Sequence, residues 1–161
     1  MIVVADTSPL NYLIQIECEN LLPQHYGRIL VPIGVMRELG QAGAPARVLA
    51  WGNRLPAWVD VRTSVSPSEF AVAFLGLGER EAIQLAEEEH ADLLLIDERK
   101  GQQEARRRGL RTTGTLGVLL DAGEFGLIDP GKFYRRLIAE TTFRTWAKLE
   151  AHFYSQVRRD S

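Results

Sequence analysis

Apolar positions in this chain recur in two rhythms, short unbroken runs and helical stripes, and the two alternate. Residues 2–5 form a brief β-branched run that stops at Asp6, the pattern of a buried strand. Asp6-Thr7-Ser8-Pro9 then punctuates it. Ser8 suits a helix cap and Pro9 a first turn, and Leu10, Leu13 and Ile14 continue at helical spacing to about residue 19. Residues 28–31 read as a second strand closed by Pro32, residues 33–39 as a helix with Val35, Met36 and Leu39 inward, and residues 45–51 as another. Residues 58–62 alternate as a strand does. Ser66-Pro67-Ser68-Glu69 opens a short helix broken at residues 76–78, and residues 79–90 form a further helix on the stripe Ala82, Ile83, Leu85 and Ala86. The run Leu93-Leu94-Leu95-Ile96 is uninterrupted, which implies burial on both faces, as in a parallel sheet. A polar helix over 98–108, a brief strand over 110–112 and a helix over 114–123 follow. A helical region then starts at Asp129-Pro130, breaks near Thr141-Thr142 and runs to about residue 158.

Strands and helices alternating in this order predict an α/β fold. Its expected form is three-layer α/β/α, with a mainly parallel central sheet, right-handed crossovers and extra C-terminal helices. At 161 residues, with 45% hydrophobic and 25% charged, the chain has the profile of one ordinary soluble domain. No apolar run approaches the ~20 residues that a membrane span needs, so no membrane association is expected. The first residues meet Asp6 without a preceding basic stretch, which argues for an early strand rather than a leader peptide. The single cysteine, Cys18, excludes an internal disulfide and points to a reducing, cytoplasmic setting. With three scattered histidines it supplies no zinc spacing, so any metal here is held by oxygen.

The net charge of −2 excludes a generally basic, nucleic-acid-coating protein, yet the charge is unevenly spread. Basic residues crowd residues 99–111 (Arg99, Lys100, Arg106, Arg107, Arg108, Arg111) and the segment beyond Lys132, whereas acids gather between Glu79 and Asp92. Such asymmetry suits an acidic pocket with basic surroundings, or simply solvated helix faces.

In open parallel sheets, functional groups collect beyond the carboxyl ends of the strands. Two of the most apolar strands end in aspartate, at Asp6 and Asp97. Carboxylates crowded at a sheet edge repel each other and are costly to desolvate; a shared cation removes both penalties. An acid-rich set without His or Cys suits Mg²⁺ or Mn²⁺ with retained waters. The bland alternative is that each aspartate caps the helix that follows. Glu38, late in a short helix, reads most simply as an exposed glutamate. Glu79 and Glu81 open the 79–90 helix, where acids also favour the positive end of the dipole. Two residues apart, they do not share a face. Glu79, one turn before Ile83, is favoured as the inward acid, with Glu81 as its substitute. Gly114-Thr115-Leu116-Gly117 offers N–H groups and a hydroxyl to a phosphate, but reads better as a helix start capped by Thr115. Trp51, Trp58 and Trp146 read as core or interface residues rather than base-stacking ones.

Five stretches, taken in order, resemble the PIN-domain family, and most closely its toxin–antitoxin-type (VapC-like) ribonuclease branch, long catalogued as a domain of unknown function. They are Val3-Val4-Ala5-Asp6-Thr7-Ser8-Pro9-Leu10, Val35-Met36-Arg37-Glu38-Leu39, Leu77-Gly78-Glu79-Arg80-Glu81-Ala82-Ile83, the stretch from Ala91 to Gly101, and the stretch from Thr113 to Leu120. The resemblance covers residues 1–128 as a nuclease-like domain and leaves 129–161 as a helical extension packed on that domain or on a partner. It implies a metal-dependent endoribonuclease in which Asp6, Glu38, Glu79 and Asp97 are catalytic and hold Mg²⁺ or Mn²⁺. Thr7 would support Asp6, and Arg99 and Lys100 would lie nearest the RNA phosphates. It further implies a homodimer and a small antitoxin partner. The competing expectation is a catalytically inactive module of the same fold that binds RNA or protein.

Overall fold

The computed structural model describes residues 1–63 and 75–159. Strand β1 (Val3–Ala5) leads into helix α1 (Thr7–Gln15), and α2 (Leu21–Tyr26) precedes β2 (Ile29–Pro32). Helices α3 (Ile33–Leu39) and α4 (Ala46–Asn53) carry the chain to β3 (Val59–Arg62). Beyond residue 75 come α5 (Leu77–Glu88), β4 (Leu93–Leu95), α6 (Arg99–Arg107), β5 (Thr112–Thr113), α7 (Thr115–Glu124), α8 (Pro130–Glu140) and α9 (Ala147–Arg159). The short helix expected at Ser66-Pro67-Ser68-Glu69 lies outside the described residues.

The strands form one five-stranded sheet in the order β3-β2-β1-β4-β5, parallel at every pairing. Successive residues of β1 point to opposite sides, as the pleat requires. Val3 and Ala5 join one core with α1, α2, α7, α8 and α9, while Val4 joins Leu30, Leu94 and Ile96 in a second core against Ala82, Ile83, Leu85 and Ala86 of α5 and Ala105 of α6. Helices thus cover both faces, which is the expected three-layer α/β/α arrangement. No helix among the described residues is long and apolar enough to cross a membrane.

Local chemistry explains where the elements differ from the sequence pattern. Helix α1 stops at Gln15 because Cys18 N–H turns back to the Leu13 carbonyl (2.8 Å) and Glu17 takes a left-handed φ of 61°. The next apolar pair, Leu21 and Leu22, then starts the separate helix α2. Helix α5 begins at Leu77, inside the Gly76–Gly78 stretch that reads as a break, because the Gly76 carbonyl already accepts from the Arg80 N–H (3.0 Å). Strand β5 sits later than expected, at Thr112–Thr113, where the register pairs Leu94 with Thr112 and Leu95 with Thr113.

Strand order reverses at β1: the chain winds outward to β2 and β3, then returns to β4 on the other side. A crevice opens beyond the carboxyl ends of β1 and β4, the place where such sheets bind ligands. Asp6 follows β1 directly and its N–H donates to the Leu95 carbonyl (2.9 Å), so the ladder holds its backbone rigidly.

Helices α8 and α9 share the core of β1. Tyr134, Leu137, Phe143 and Phe153 are buried in it, and the Tyr134 and Phe153 rings stack with centroids 4.8 Å apart. Removing a fully enclosed ring leaves a cavity that the surroundings fill only in part. Phe153→Ala is therefore expected to lower unfolding free energy by about 3–5 kcal/mol, measured by denaturant titration.

Candidate metal and active site

Asp6 occupies the N-cap position of α1 with extended backbone (φ −83°, ψ 172°), yet its carboxylate makes no capping bond. The side chain is 2% exposed, and its Oδ1 has no hydrogen-bond partner among the described residues. Burial pushes the carboxyl up to about 8. The Thr7 backbone N–H opposes this, and the charges of Glu79, Glu38 and Asp97 reinforce it. Those three acids are the ones named with Asp6 from the sequence, and the fold brings all four into one electrostatic neighbourhood.

Each of the other three is held in its own way. Glu38, on α3, receives the Thr7 hydroxyl on Oε2 and the Gly78 N–H on Oε1 (2.9 Å). That second contact needs glycine, because a Cβ at position 78 would fall 2.6 Å from Glu38 Oε2. Asp97 receives the Thr115 N–H on Oδ1 (2.6 Å) and the Thr115 hydroxyl on Oδ2 (2.7 Å). Here too a Cβ on the neighbouring Gly114 would lie 2.6 Å from the carboxylate. Burial raises the Asp97 carboxyl, and the two Thr115 bonds partly offset it. The hydroxyl of Thr115 is therefore engaged with Asp97 rather than capping α7, which has no side-chain cap.

Glu79 stands in the first turn of α5, with Oε2 enclosed and unpartnered among the described residues. Burial pushes it up to about 7, and the charges of Glu98 and Glu38 add to the rise. Glu81 points elsewhere: its Oε2 accepts the Gly34 N–H (2.7 Å), so it caps the start of α3. Of the two acids at the head of α5, Glu79 is the one whose charge reaches Asp6, while Glu81 is engaged at Gly34. Glu98 is the acid that the sequence reading passed over. It looked like the first residue of a polar helix, and it holds the N-cap position of α6, but its charge reaches Glu79.

Arg99 and Lys100 are exposed at the start of α6, beside Asp97. Further along the run, the basic side chains meet acids and a hydroxyl of the fold. Arg107 Nη2 and Arg108 Nε lie 2.5 and 2.9 Å from Glu104 Oε1, Arg108 also reaches Glu87 of α5, and Arg106 Nε donates to the Thr112 hydroxyl (3.1 Å).

The donor set suits a hard divalent cation. Asp6 Oδ1 and Glu79 Oε2 are enclosed carboxylate oxygens without partners, and each acid is raised by its neighbours' charge. Among the described residues, no group of three or more acid, His or Cys side chains is drawn together to hold an ion as it stands.

Both shifts run upward, so the folded chain without metal holds protons that the unfolded chain releases. The stabilisation from Asp6 is complete below its ordinary 3.8 and is lost as pH rises to about 8; that from Glu79 is lost between 4.5 and about 7. In chelator, the melting temperature is expected to fall as pH rises from ~5 to ~8, with a flatter slope in Asp6→Asn. Mn²⁺ is expected to raise the melting temperature more at the upper end of that range, because it binds the ionised carboxylates. Calorimetry across the pH series measures both effects.

A family model described as a PIN domain matches residues 2–159, nearly the whole chain. No curated protein matches the chain significantly. PIN domains have a nuclease-type fold and typically use divalent metal ions. With its parallel sheet and its acids beyond β1 and β4, the chain belongs to the PIN-domain family.

Proposed function

We propose that this chain is a Mg²⁺- or Mn²⁺-dependent endoribonuclease that hydrolyses RNA phosphodiester bonds, and that it is the toxin of a toxin–antitoxin pair. The observation that carries the reading is the buried carboxylate of Asp6, its Oδ1 without a partner among the described residues, with Glu38, Glu79 and Asp97 around it. An acid kept there without a cation would be a pure cost to the fold.

A bound divalent cation supplies phosphate neutralisation and a more acidic water. The chain's own residues set the stage for this. Asp6 and Glu79 offer the open oxygens. Glu38 and Asp97 are pinned by Thr7, Gly78 and Thr115, so their carboxyl groups are held in place beside the same space. Arg99 and Lys100 stand outside the acids, where they meet flanking phosphates without reading sequence. The toxin role and a homodimer rest on the ordered motif resemblance. An antitoxin for such a site covers the acids or inserts a cation among them.

Cleavage of a labelled RNA in Mn²⁺ tests the reading. Asp6→Asn and Asp97→Asn are expected to lower the rate by more than ~100-fold, since losing a group that merely orients a metal ligand already costs 10- to 100-fold. Glu79→Gln is expected to match them, while Glu81→Gln, which keeps an acceptor for the Gly34 N–H, stays near the wild-type rate. Intact RNA at high protein concentration, in every metal tried, overturns the enzyme reading and leaves a binding module. Growth arrest on inducing the wild-type chain, absent with Asp6→Asn, is the outcome expected of a toxin.

A further inference from the structure

A cleft of about 1080 Å³ opens from Asp97 of the acid cluster and extends beyond it. One end is formed by Asp97 and Glu98. From there it runs between α6 with β5 on one side and the α8–α9 connection with α9 on the other. Its volume is at the upper edge of the ~300–1,000 Å³ that encloses a single small molecule.

The walls carry cations. Arg99 and Arg106 line the α6 side, and Arg144 and Lys148 line the opposite side. Among the described residues, no carboxylate lies within ion-pair distance of Arg99, Arg144 or Lys148, although ten such contacts occur elsewhere. In a chain of net charge −2, four basic side chains along one groove are a concentrated exception. Trp146 stands between Arg144 and Lys148 in sequence, lines the cleft and is 56% exposed. A large indole left in water beside cations is unusual for a residue read from sequence as core or interface.

The wall bearing it is preformed. Phe143 is buried and its ring meets Tyr12 of α1 edge-on at 5.3 Å. The Trp146 carbonyl accepts the Glu150 N–H (3.0 Å), fixing the backbone at the entry to α9. Along α9, Lys148 and His152 are one turn apart and exposed, while Leu149 and Phe153 beneath them anchor the helix.

Cations along a groove with an exposed aromatic between them are the chemistry that binds a single-stranded nucleic acid: charge tracks the backbone and an aromatic face stacks a base. A duplex would present no unstacked base to Trp146. We infer that this cleft is the path of a single strand of RNA flanking the bond to be cut, with Trp146 stacking a base and Arg144 and Lys148 holding phosphates. The inference rests on the ribonuclease reading for its RNA, and it adds where the strand lies and which residues outside the acid cluster hold it.

Fluorescence anisotropy of a short labelled oligouridine, titrated with the full chain carrying Asp6→Asn so that cleavage does not interfere, measures the binding directly. Trp146→Ala added to that chain is expected to weaken binding about tenfold, and Trp146→Phe to restore most of it, because stacking needs a ring and not an indole. Arg144→Glu with Lys148→Glu is expected to weaken binding further and to make the salt dependence shallower by about 1.4 in log–log slope, two phosphate contacts being lost. Circular dichroism shows that each variant folds. Equal affinity across all variants overturns the cleft assignment even where the wild-type chain cleaves RNA. Duplex RNA bound as tightly as oligouridine overturns the single-strand assignment. Weakened binding in a chain that cleaves nothing supports the cleft while removing the nuclease reading.

Discussion

A carboxylate at the centre of a parallel sheet is the constraint around which this molecule is arranged. Asp6 leaves β1 with β2 and β4 on either side and helices above and below, so water cannot reach and solvate it. An ionised group in such a place costs several kcal/mol unless something compensates it. The neighbours make matters worse, since three further acids share the crevice. Only protonation or a cation relieves that crowding, and the upward displacement of Asp6 and Glu79 is the protonation branch of the choice. The backbone contributes as well. Gly78 and Gly114 stand where a side chain would collide with Glu38 and Asp97, which lets those carboxylates lie directly against main-chain N–H groups.

Two kinds of acid result. Glu38 and Asp97 have both oxygens engaged by donors from other elements: Glu38 ties α3 to α1 and α5, and Asp97 ties the end of β4 to α7. Their first duty is to hold the crevice in shape, and their charge is fixed in place by the same bonds. Asp6 and Glu79 each keep an enclosed oxygen without a donor. On the proposed reading the open oxygens would bind a hard cation and the tethered ones would frame it, the usual division between groups that bind an ion and groups that orient them. Thr7 belongs to the frame: its hydroxyl serves Glu38, and its N–H serves Asp6.

How much of this could be read from residues alone follows from what each signal depends on. The parallel sheet and the two aspartates were legible because they rest on local facts, an unbroken apolar run and the acid that ends it. Helix α2 was not, since its separation from α1 depends on a turn at Glu17 and Cys18 that no apolar spacing reveals. Helical phase favours Glu79 over Glu81, but the engagement of Glu81 by the Gly34 N–H depends on where the start of α3 lies, which phase does not reveal. Glu98 was missed for a related reason: adjacency to Asp97 made it look like a helix start, and its proximity to Glu79 exists only once α5 and α6 pack together. Trp146 reads from sequence as a core or interface residue, the ordinary fate of a tryptophan, while the neighbouring Phe143 takes the buried place.

A polyanion and a cluster of acids repel, so a protein that brings one to the other needs cations close to the acids but not neutralising them. The basic residues here divide along that line. Arg107 and Arg108 are drawn to Glu104, whose carboxyl they hold down at about 2, and Arg108 also reaches Glu87, so this part of the run fastens α6 to α5. Arg136 is likewise drawn to Glu140 and Glu17. Those ion pairs belong to the architecture, and their charge is cancelled at short range. Arg99, Arg144 and Lys148 instead border the cleft that opens at Asp97, where low-dielectric walls focus their field along the approach to the acids. A charge placed about two turns further along α6 is engaged in folding, and one placed on the cleft wall is available to a ligand. The even spread implied by a net charge of −2 conceals that separation, which is made by packing rather than by composition.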